Sequence, residues 1–262
     1  MLKSTILVLC LLFAPTHAWA LDSTIEKMEG RGTTQQETLI VTPDGDIHAA
    51  VILIPGGKGI TTFKGRAPTA KVVKGANNAL IRNRELYAKA GLLTAVFAPP
   101  PSHSKIMGDV RTTPEHAEDI AVLVKHLKAK TNGKPVWIVG TSMGSISAAH
   151  AAISIPDVDG IVLTASVSLP TKIGGTPVQD QDVGQITDPV LIVHHEKDGC
   201  YATPYEGAAK IQAAMSRATP VQLITMSGGE DRGNPCKASG YHGFSGLDRD
   251  VTAKIAAFII AH

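Results

Sequence analysis

Long apolar runs are almost absent from this sequence of 262 residues. After the first twenty residues, no segment stays apolar for the roughly 18 residues that a membrane-spanning helix needs. Strong charge is absent too: the formal net charge is +2 at pH 7, and no run of basic residues occurs. This balance argues against a nucleic-acid partner and against strong attraction to anionic membranes. Without internal repeats or a low-complexity linker, residues 21–262 are predicted to form one domain.

The one pronounced apolar run lies at the start of the chain. Lys3 precedes the apolar segment 6–14, and Ala18-Trp19-Ala20 has the small-x-small form of a cleavage site. These features predict a secretory signal peptide over residues 1–20, so that the mature protein is periplasmic or secreted. An uncleaved anchor is the alternative.

Cysteine is scarce, with three residues in the whole chain. Cys10 lies in the predicted signal peptide, which leaves Cys200 and Cys236. Two cysteines in an exported chain predict a disulfide, and two free thiols are the alternative. A metal site would need histidine partners at short spacing, which the sequence does not offer, so no metal or other cofactor is expected.

Apolar, β-branched runs alternate with longer helical patterns along the chain. Such runs, apolar on both faces, are typical of buried parallel strands; they cover residues 37–42, 49–54, 92–97, 135–139, 158–164, 190–194 and 221–225. Helices are predicted at 82–90, from Thr113 and Pro114 onward, and at 143–153, 205–215 and 248–260. Repeated strand–helix units predict an α/β fold with one doubly wound, mostly parallel sheet flanked by helices.

The strongest chemical signal is Gly140-Thr141-Ser142-Met143-Gly144, which follows an apolar strand and precedes a helix of small residues. A serine at a sharp strand-to-helix turn is exposed above the sheet, and its neighbours must be small because the backbone folds back on itself. Ser142 is therefore the candidate nucleophile. An ordinary glycine-bracketed turn is the alternative.

A serine nucleophile needs a base, and the base needs an orienting acid. In this architecture the acid and then the base follow the serine along the chain. Asp198 comes just after the predicted strand 190–194 and is the candidate acid, ahead of Glu196 and, more distantly, Asp231. An aspartate before Gly199 could also simply form a turn.

The candidate base is His242, on a glycine-flanked loop between the last predicted strand and the final helix. The other histidines are less suitable. His194 and His195 belong to the strand end that carries Asp198, and the rest lie in the signal peptide, at the terminus, or before or too near Ser142; these are His17, His48, His103, His116, His126, His150 and His262.

The order Ser142, Asp198, His242 over this strand–helix alternation resembles the α/β-hydrolase superfamily, and the small exported form is similar to its dienelactone-hydrolase-like and esterase branches. The resemblance covers nearly the whole of residues 21–262. It implies a mostly parallel eight-stranded sheet with the three residues on loops at its carboxyl edge. It also implies an oxyanion hole formed by the N–H of Met143 and that of Gly57, with Lys58 as the next best donor.

The loop before Gly57 departs from the family, because Pro55-Gly56 stands where members often carry His-Gly, and Pro55 has no N–H to donate. The glycines are not a phosphate loop, since the Walker spacing is missing. A Cys200–Cys236 bridge would join the Asp198 loop to the His242 loop.

Only about twenty residues, 166–187, separate two predicted strands where many relatives insert a cap, so no cap domain and an open site are expected. Pocket-lining candidates are Lys58, Thr61, Phe63, His103 and Tyr201. The favoured function is hydrolysis of a small-molecule or polymer-end ester through an acyl-enzyme. Alternatives are a peptidase, amidase or thioesterase on the same fold, and a non-catalytic binding protein on that scaffold.

Overall fold

The computed structural model describes residues 21–32, 34–101 and 108–262. The predicted signal peptide, Cys10 and His103 lie outside the described residues. Within them, the strands are β1 (Asp22–Glu29), β2 (Gln35–Thr42), β3 (Ala49–Ile54), β4 (Thr62–Lys64), β5 (Lys71–Lys74), β6 (Leu92–Phe97), β7 (Val136–Thr141), β8 (Gly160–Thr164), β9 (Val190–His195) and β10 (Val221–Met226). The helices are α1 (Ala79–Arg82), α2 (Arg84–Lys89), α3 (Pro114–Lys130), α4 (Met143–Ser154), α5 (Glu206–Ala214) and α6 (Asp248–Ala261).

Eight strands form one sheet in the order β1-β2-β6-β3-β7-β8-β9-β10. The six strands from β6 to β10 in that order are parallel, whereas β2 pairs antiparallel with β6 and β1 antiparallel with β2. The predicted α/β class with a mostly parallel sheet is confirmed. β4 and β5 form a separate two-stranded hairpin within the stretch 58–77, for which the sequence predicts no element.

Helices cover both faces of the sheet, which explains why the central strands are apolar throughout. In β3, Ala50, Ile52 and Ile54 face one core with residues of α3, α4 and α5. The alternate residues Ala49, Val51 and Leu53 face a second core with residues of α2 and α6. Because side chains alternate along a strand, burial on both sides removes any polar position.

Three sequence predictions need correction. The first strand is β1, not the run 37–42. The apolar pattern missed β1 because it is an edge strand with several charged residues. One of these, Glu26, accepts from His126 and pairs with Lys130 of α3. The predicted helix 82–90 is two short helices that meet at Asn83, whose side chain donates to Ala79 O and to Asp248. Residues 158 and 159 precede β8 and are not part of it.

Between β8 and β9 the chain forms two short 3-10 turns, Val178–Asp180 and Val183–Gln185, so no cap domain is inserted there. In the described ranges no helix is both long and apolar enough to cross a bilayer.

Candidate active site

Ser142 lies at the turn between β7 and α4 in a strained conformation, with φ 52° and ψ −125°. Such a backbone costs a non-glycine residue about 1–3 kcal/mol. The glycines on either side are required by close packing. A Cβ on Gly140 would lie 2.3 Å from Gly144 O, and one on Gly144 would lie 2.2 Å from Ile54 O. The turn therefore holds the serine above the carboxyl edge of the sheet, as the motif predicts.

Asp198 follows β9 and is held by three hydrogen-bond donors. Its Oδ1 accepts from Cys200 N at 2.9 Å, and its Oδ2 accepts from Thr203 Oγ1 at 2.9 Å and His242 Nδ1 at 2.9 Å. His194 Nε2, which donates to Thr203 O at 2.9 Å, lies 3.3 Å from the same Oδ2. This network orients the carboxylate toward the imidazole of His242.

The electrostatics of Asp198 follow from these contacts. Burial raises the pKa of the Asp198 carboxyl, but the contact with His194, the hydrogen bond and electrostatic attraction of His242 and the amide of Cys200 together lower it by more. The pKa is therefore held well below its ordinary value. Asp198 is ionised at neutral pH, as an acid that orients a histidine must be.

His242 lies in the 3-10 turn Tyr241–Gly243 before α6. Because its Nδ1–H donates to Asp198, the neutral ring presents Nε2 as the acceptor. Two contacts fix the turn: Tyr241 stacks on His195 at 4.4 Å, and Arg82 donates to Ala238 O and Gly243 O, each at 2.7 Å. The imidazole is thus oriented both by its hydrogen bond to Asp198 and by the contacts that fix the backbone of its turn.

Ser142 and His242 both line the wall of a cavity of about 570 Å³. No hydrogen bond joins their side chains among the described residues. The rest of the lining is polar or small; it comprises Gly56, Gly57, Asn77, Asn78, Ala79, Arg82, Thr141, Cys236, Lys237, Ala238, Ser239, Gly243 and Ser245. No large apolar side chain and no carboxylate is among them.

The loop after β3 packs directly on the serine. A Cβ on Gly56 would lie 2.8 Å from Ser142 Cβ, so this position tolerates glycine alone. Gly57 has a positive φ of 58°, and Gly59 N donates to Gly56 O at 3.1 Å. Met143 begins α4, where the positive end of the helix dipole favours an anion. The candidate oxyanion donors Met143 and Gly57, or Lys58, therefore belong to segments that meet at Ser142.

Cys200 and Cys236 form a disulfide. Cys200 lies beside Asp198, and Cys236 lines the cavity in the segment before His242. The bridge therefore links the acid loop to the base loop.

Comparisons with known proteins agree with this architecture. A family model described as serine aminopeptidase, S33 matches residues 102–181. No curated protein sequence matches the chain. An esterase from Pyrococcus furiosus superposes with a TM-score of 0.65 at 11% identity, over 93% of this chain and 94% of that chain.

Two further structures share the fold. A serine hydrolase without lid from Xanthomonas campestris has a TM-score of 0.57 at 11% identity, over 92% and 95% of the two chains. A puromycin-hydrolyzing peptidase from Mycobacterium tuberculosis has a TM-score of 0.66 at 13% identity, over 95% of this chain and 41% of that one. The chain has the α/β-hydrolase fold. Because the sequence identities are only 11–13%, the activities of these proteins cannot be transferred to this chain.

Within the α/β-hydrolase fold, several sequence predictions about the site need correction. Thr61 and Phe63 line a different cavity, of about 530 Å³, beside β2 and the β4–β5 hairpin. Lys58 and Tyr201 are not among the residues that line the Ser142 cavity, and the Tyr201 hydroxyl accepts a hydrogen bond from Lys172 N. Neither of the alternative acids, Glu196 and Asp231, hydrogen-bonds His242 within the described residues.

Sequence reasoning missed the residues that support the candidate site. Thr203 and His194 contact Asp198, and Arg82 fixes the His242 turn. His194 and Thr203 lie four and five residues from Asp198 along the chain, but their contacts depend on how the turn after β9 folds. Arg82 comes from a distant segment, so no spacing along the chain indicates its contacts. For Lys237 and Ser239 a signal did exist, since both lie in the glycine-rich segment between the last strand and His242.

Proposed function

We propose that this protein is a serine hydrolase that cleaves carboxylic esters through an acyl-enzyme. The observation that carries the proposal is the arrangement of three groups. Ser142 lies in a strained turn on the wall of a cavity, His242 lines the same cavity, and the Nδ1 of His242 lies 2.9 Å from the ionised Asp198. A strained serine and an oriented imidazole on one cavity are the parts that acyl transfer requires.

In the proposed reaction, Ser142 Oγ attacks the ester carbonyl carbon while His242 Nε2 takes the hydroxyl proton. The carbonyl electron pair moves to its oxygen, where the N–H groups of Met143 and Gly57 or Lys58 stabilise the charge. The tetrahedral intermediate collapses, the C–O bond to the alcohol breaks, and His242 protonates the departing oxygen. Water, deprotonated by His242, then attacks the acyl carbon. The bond from that carbon to Ser142 Oγ breaks, His242 returns the proton to Oγ, and the acid and free Ser142 are released.

The matched family model is described as a serine aminopeptidase. The charges in the cavity, however, favour a neutral ester over the free amino terminus that an aminopeptidase binds. A free α-ammonium group needs a carboxylate or similar acceptor, because burying an unpaired charge is costly. The two charged residues of the lining, Arg82 and Lys237, are both cationic, and no acid lies among the lining residues. A peptidase or amidase acting on a substrate without that ammonium group remains the second candidate.

Export to the periplasm or outside the cell is part of the proposal. Its support is the signal-like segment 1–20 together with the disulfide, since disulfides persist in oxidising compartments.

A fluorophosphonate probe tests the function. We expect the probe to label the wild-type protein covalently and the Ser142→Ala variant not at all, because only an activated serine attacks phosphorus at a useful rate. Ser216→Ala, which removes an exposed serine after α5, is the matched control and should label like wild type. Parallel assays with p-nitrophenyl acetate and an N-acetylated alanine p-nitroanilide, which has no free ammonium group, compare ester with amide cleavage.

Folded wild-type protein that resists labelling would instead support a non-catalytic binding protein. Faster turnover of the anilide than of the ester would favour the peptidase.

A further inference from the structure

Arg111, in the 3-10 helix Gly108–Thr112, is fully buried behind the loop that follows β3. Its Nη2 donates to Gly57 O at 3.0 Å and to Pro55 O at 3.3 Å, and its Nη1 donates to Ser147 Oγ of α4 at 2.9 Å. The guanidinium thus joins the two segments that carry the candidate oxyanion donors.

All partners of this guanidinium are neutral. No carboxylate pairs with Arg111 in the described part of the chain, and the residues outside it include no Asp or Glu. Its Nε has no hydrogen-bond partner among the described residues. Burial lowers the pKa of Arg111 to about 9, so the side chain is still a cation at neutral pH.

An unpaired buried cation is hard to explain as a device for stability. Removing an ion from water carries a large desolvation penalty, and apolar residues of similar volume often stabilise such positions better. The placement of the charge therefore calls for a functional reason.

The hydrogen bonds of Arg111 determine how the loop presents its amides. In a trans peptide the C=O and the following N–H point in opposite directions. Because Pro55 O and Gly57 O accept from Arg111, the N–H groups of Gly56 and Lys58 point away from the guanidinium. The peptide between them is held by Gly59 N, which donates to Gly56 O. Three consecutive peptide groups of the loop are thus fixed.

We propose that Arg111 is a positioning residue of the oxyanion hole: its guanidinium orients the 55–56 and 57–58 peptide groups, the second of which carries the Lys58 N–H, and places a positive charge behind the loop. Hydrogen bonds to the carbonyls polarise the peptide groups and strengthen their N–H donors. Fixed donors and a nearby cation stabilise the negative oxygen of the tetrahedral intermediate more than the neutral ester carbonyl, so the effect is greatest in the transition state. This inference rests on the proposed serine-hydrolase function.

Three substitutions separate charge, donors and packing. Arg111→Met removes the charge and keeps an unbranched side chain, Arg111→Gln retains polar groups without charge, and Arg111→Lys retains the charge. We expect Arg111→Met to lower kcat for p-nitrophenyl acetate about 10- to 100-fold, with KM changed less than about 3-fold and Tm unchanged or higher. Arg111→Lys should recover most of kcat, and Arg111→Gln should recover less.

A second readout follows the transition state directly. Affinity for a boronic acid, which forms a tetrahedral anion on the serine, should fall in proportion to kcat/KM across the series. Arg84→Met is the matched control. Arg84 on α2 is also largely buried, has an unpartnered Nε and donates to the carbonyl of Ile81, but it lies outside the cavity lining. Its loss should leave kcat and boronic acid affinity unchanged.

The possible failures are distinct. A folded Arg111→Met protein with wild-type kcat and boronic acid affinity would overturn this inference alone. This inference would also be overturned if kcat fell only together with Tm and if Arg111→Lys did not restore kcat. Wild-type protein that the fluorophosphonate does not label at Ser142 would overturn the proposed function, and this inference with it.

Discussion

Asp198 illustrates how much of the site depends on single hydrogen bonds. Its Oδ1 accepts from Cys200, and its Oδ2 accepts from Thr203 and His242, with His194 also close to Oδ2. Chain order alone identifies Asp198 and His242 as candidates, because the acid and then the base follow the serine. Chain order does not identify the donors that hold the acid, since these depend on how the turn after β9 folds.

Replacing Asp198 by Asn tests this role of the carboxylate. The amide can present its NH₂ to His242 Nδ1, which would favour the wrong tautomer, and in a Ser-His-Asp site that costs roughly 10⁴-fold in kcat. We expect a loss of this order for ester hydrolysis, while Thr203→Ser, which keeps the hydroxyl donor, should lose less than about 3-fold. An Asp198→Asn variant with wild-type kcat would exclude Asp198 as the orienting acid.

The same variant tests how stability depends on pH. The folded-state pKa of Asp198 is lowered, so the ionised carboxylate contributes stability above its ordinary pKa of about 4 and that contribution is lost as the pH falls below it. The fall in Tm from pH 5 to pH 3 should therefore be smaller in Asp198→Asn than in wild type. Equal falls would indicate that the carboxyl is not held ionised by its neighbours.

At the scale of elements, prediction succeeded where burial alone decides the pattern. The bounds of β3 and β6 match their apolar runs, because helices cover both faces and no polar position is tolerated. The edge strand β1 was missed because it pairs on one side only, and the β4–β5 hairpin because its two strands are short and mostly exposed. Such elements are determined by neighbours that a local window does not contain.

The disulfide is the covalent link between two of these elements, the loops after β9 and β10. Replacing both Cys200 and Cys236 by Ser should lower the free energy of unfolding by about 3–4 kcal/mol, since the bridge closes a loop with a sequence separation of 36. We also expect kcat to fall, because Asp198 and His242 lie on the two joined loops. Thermal unfolding and ester turnover measure both effects.

Reduction with dithiothreitol provides the control for that experiment. Wild type treated with the reductant should behave like the double variant, and the double variant should not respond to it. Unchanged Tm and unchanged turnover in both cases would show that the bridge does not hold Asp198 against His242. The Arg82 contacts to Ala238 and Gly243 would then be the main support of the His242 turn.

For the whole molecule, no cap lies between β8 and β9, so under the proposed function the cavity beside Ser142 determines which acyl group binds. A methylene group buried in an apolar pocket gains about 0.8 kcal/mol, or roughly fourfold in affinity. The lining of this cavity contains no large apolar side chain, so it offers no such gain to a long acyl chain. Among p-nitrophenyl esters, kcat/KM should therefore be highest for acetate and should not rise from butyrate to octanoate.

The same reasoning predicts no activation at a lipid–water interface, because such activation requires a lid to open. Rates with a short ester should rise hyperbolically with concentration and show no jump at the solubility limit, with Ser142→Ala supplying the background rate. A several-fold rise in kcat/KM for every two added methylenes would contradict the prediction. It would mean that the acyl chain binds outside the polar cavity that Ser142 and His242 line.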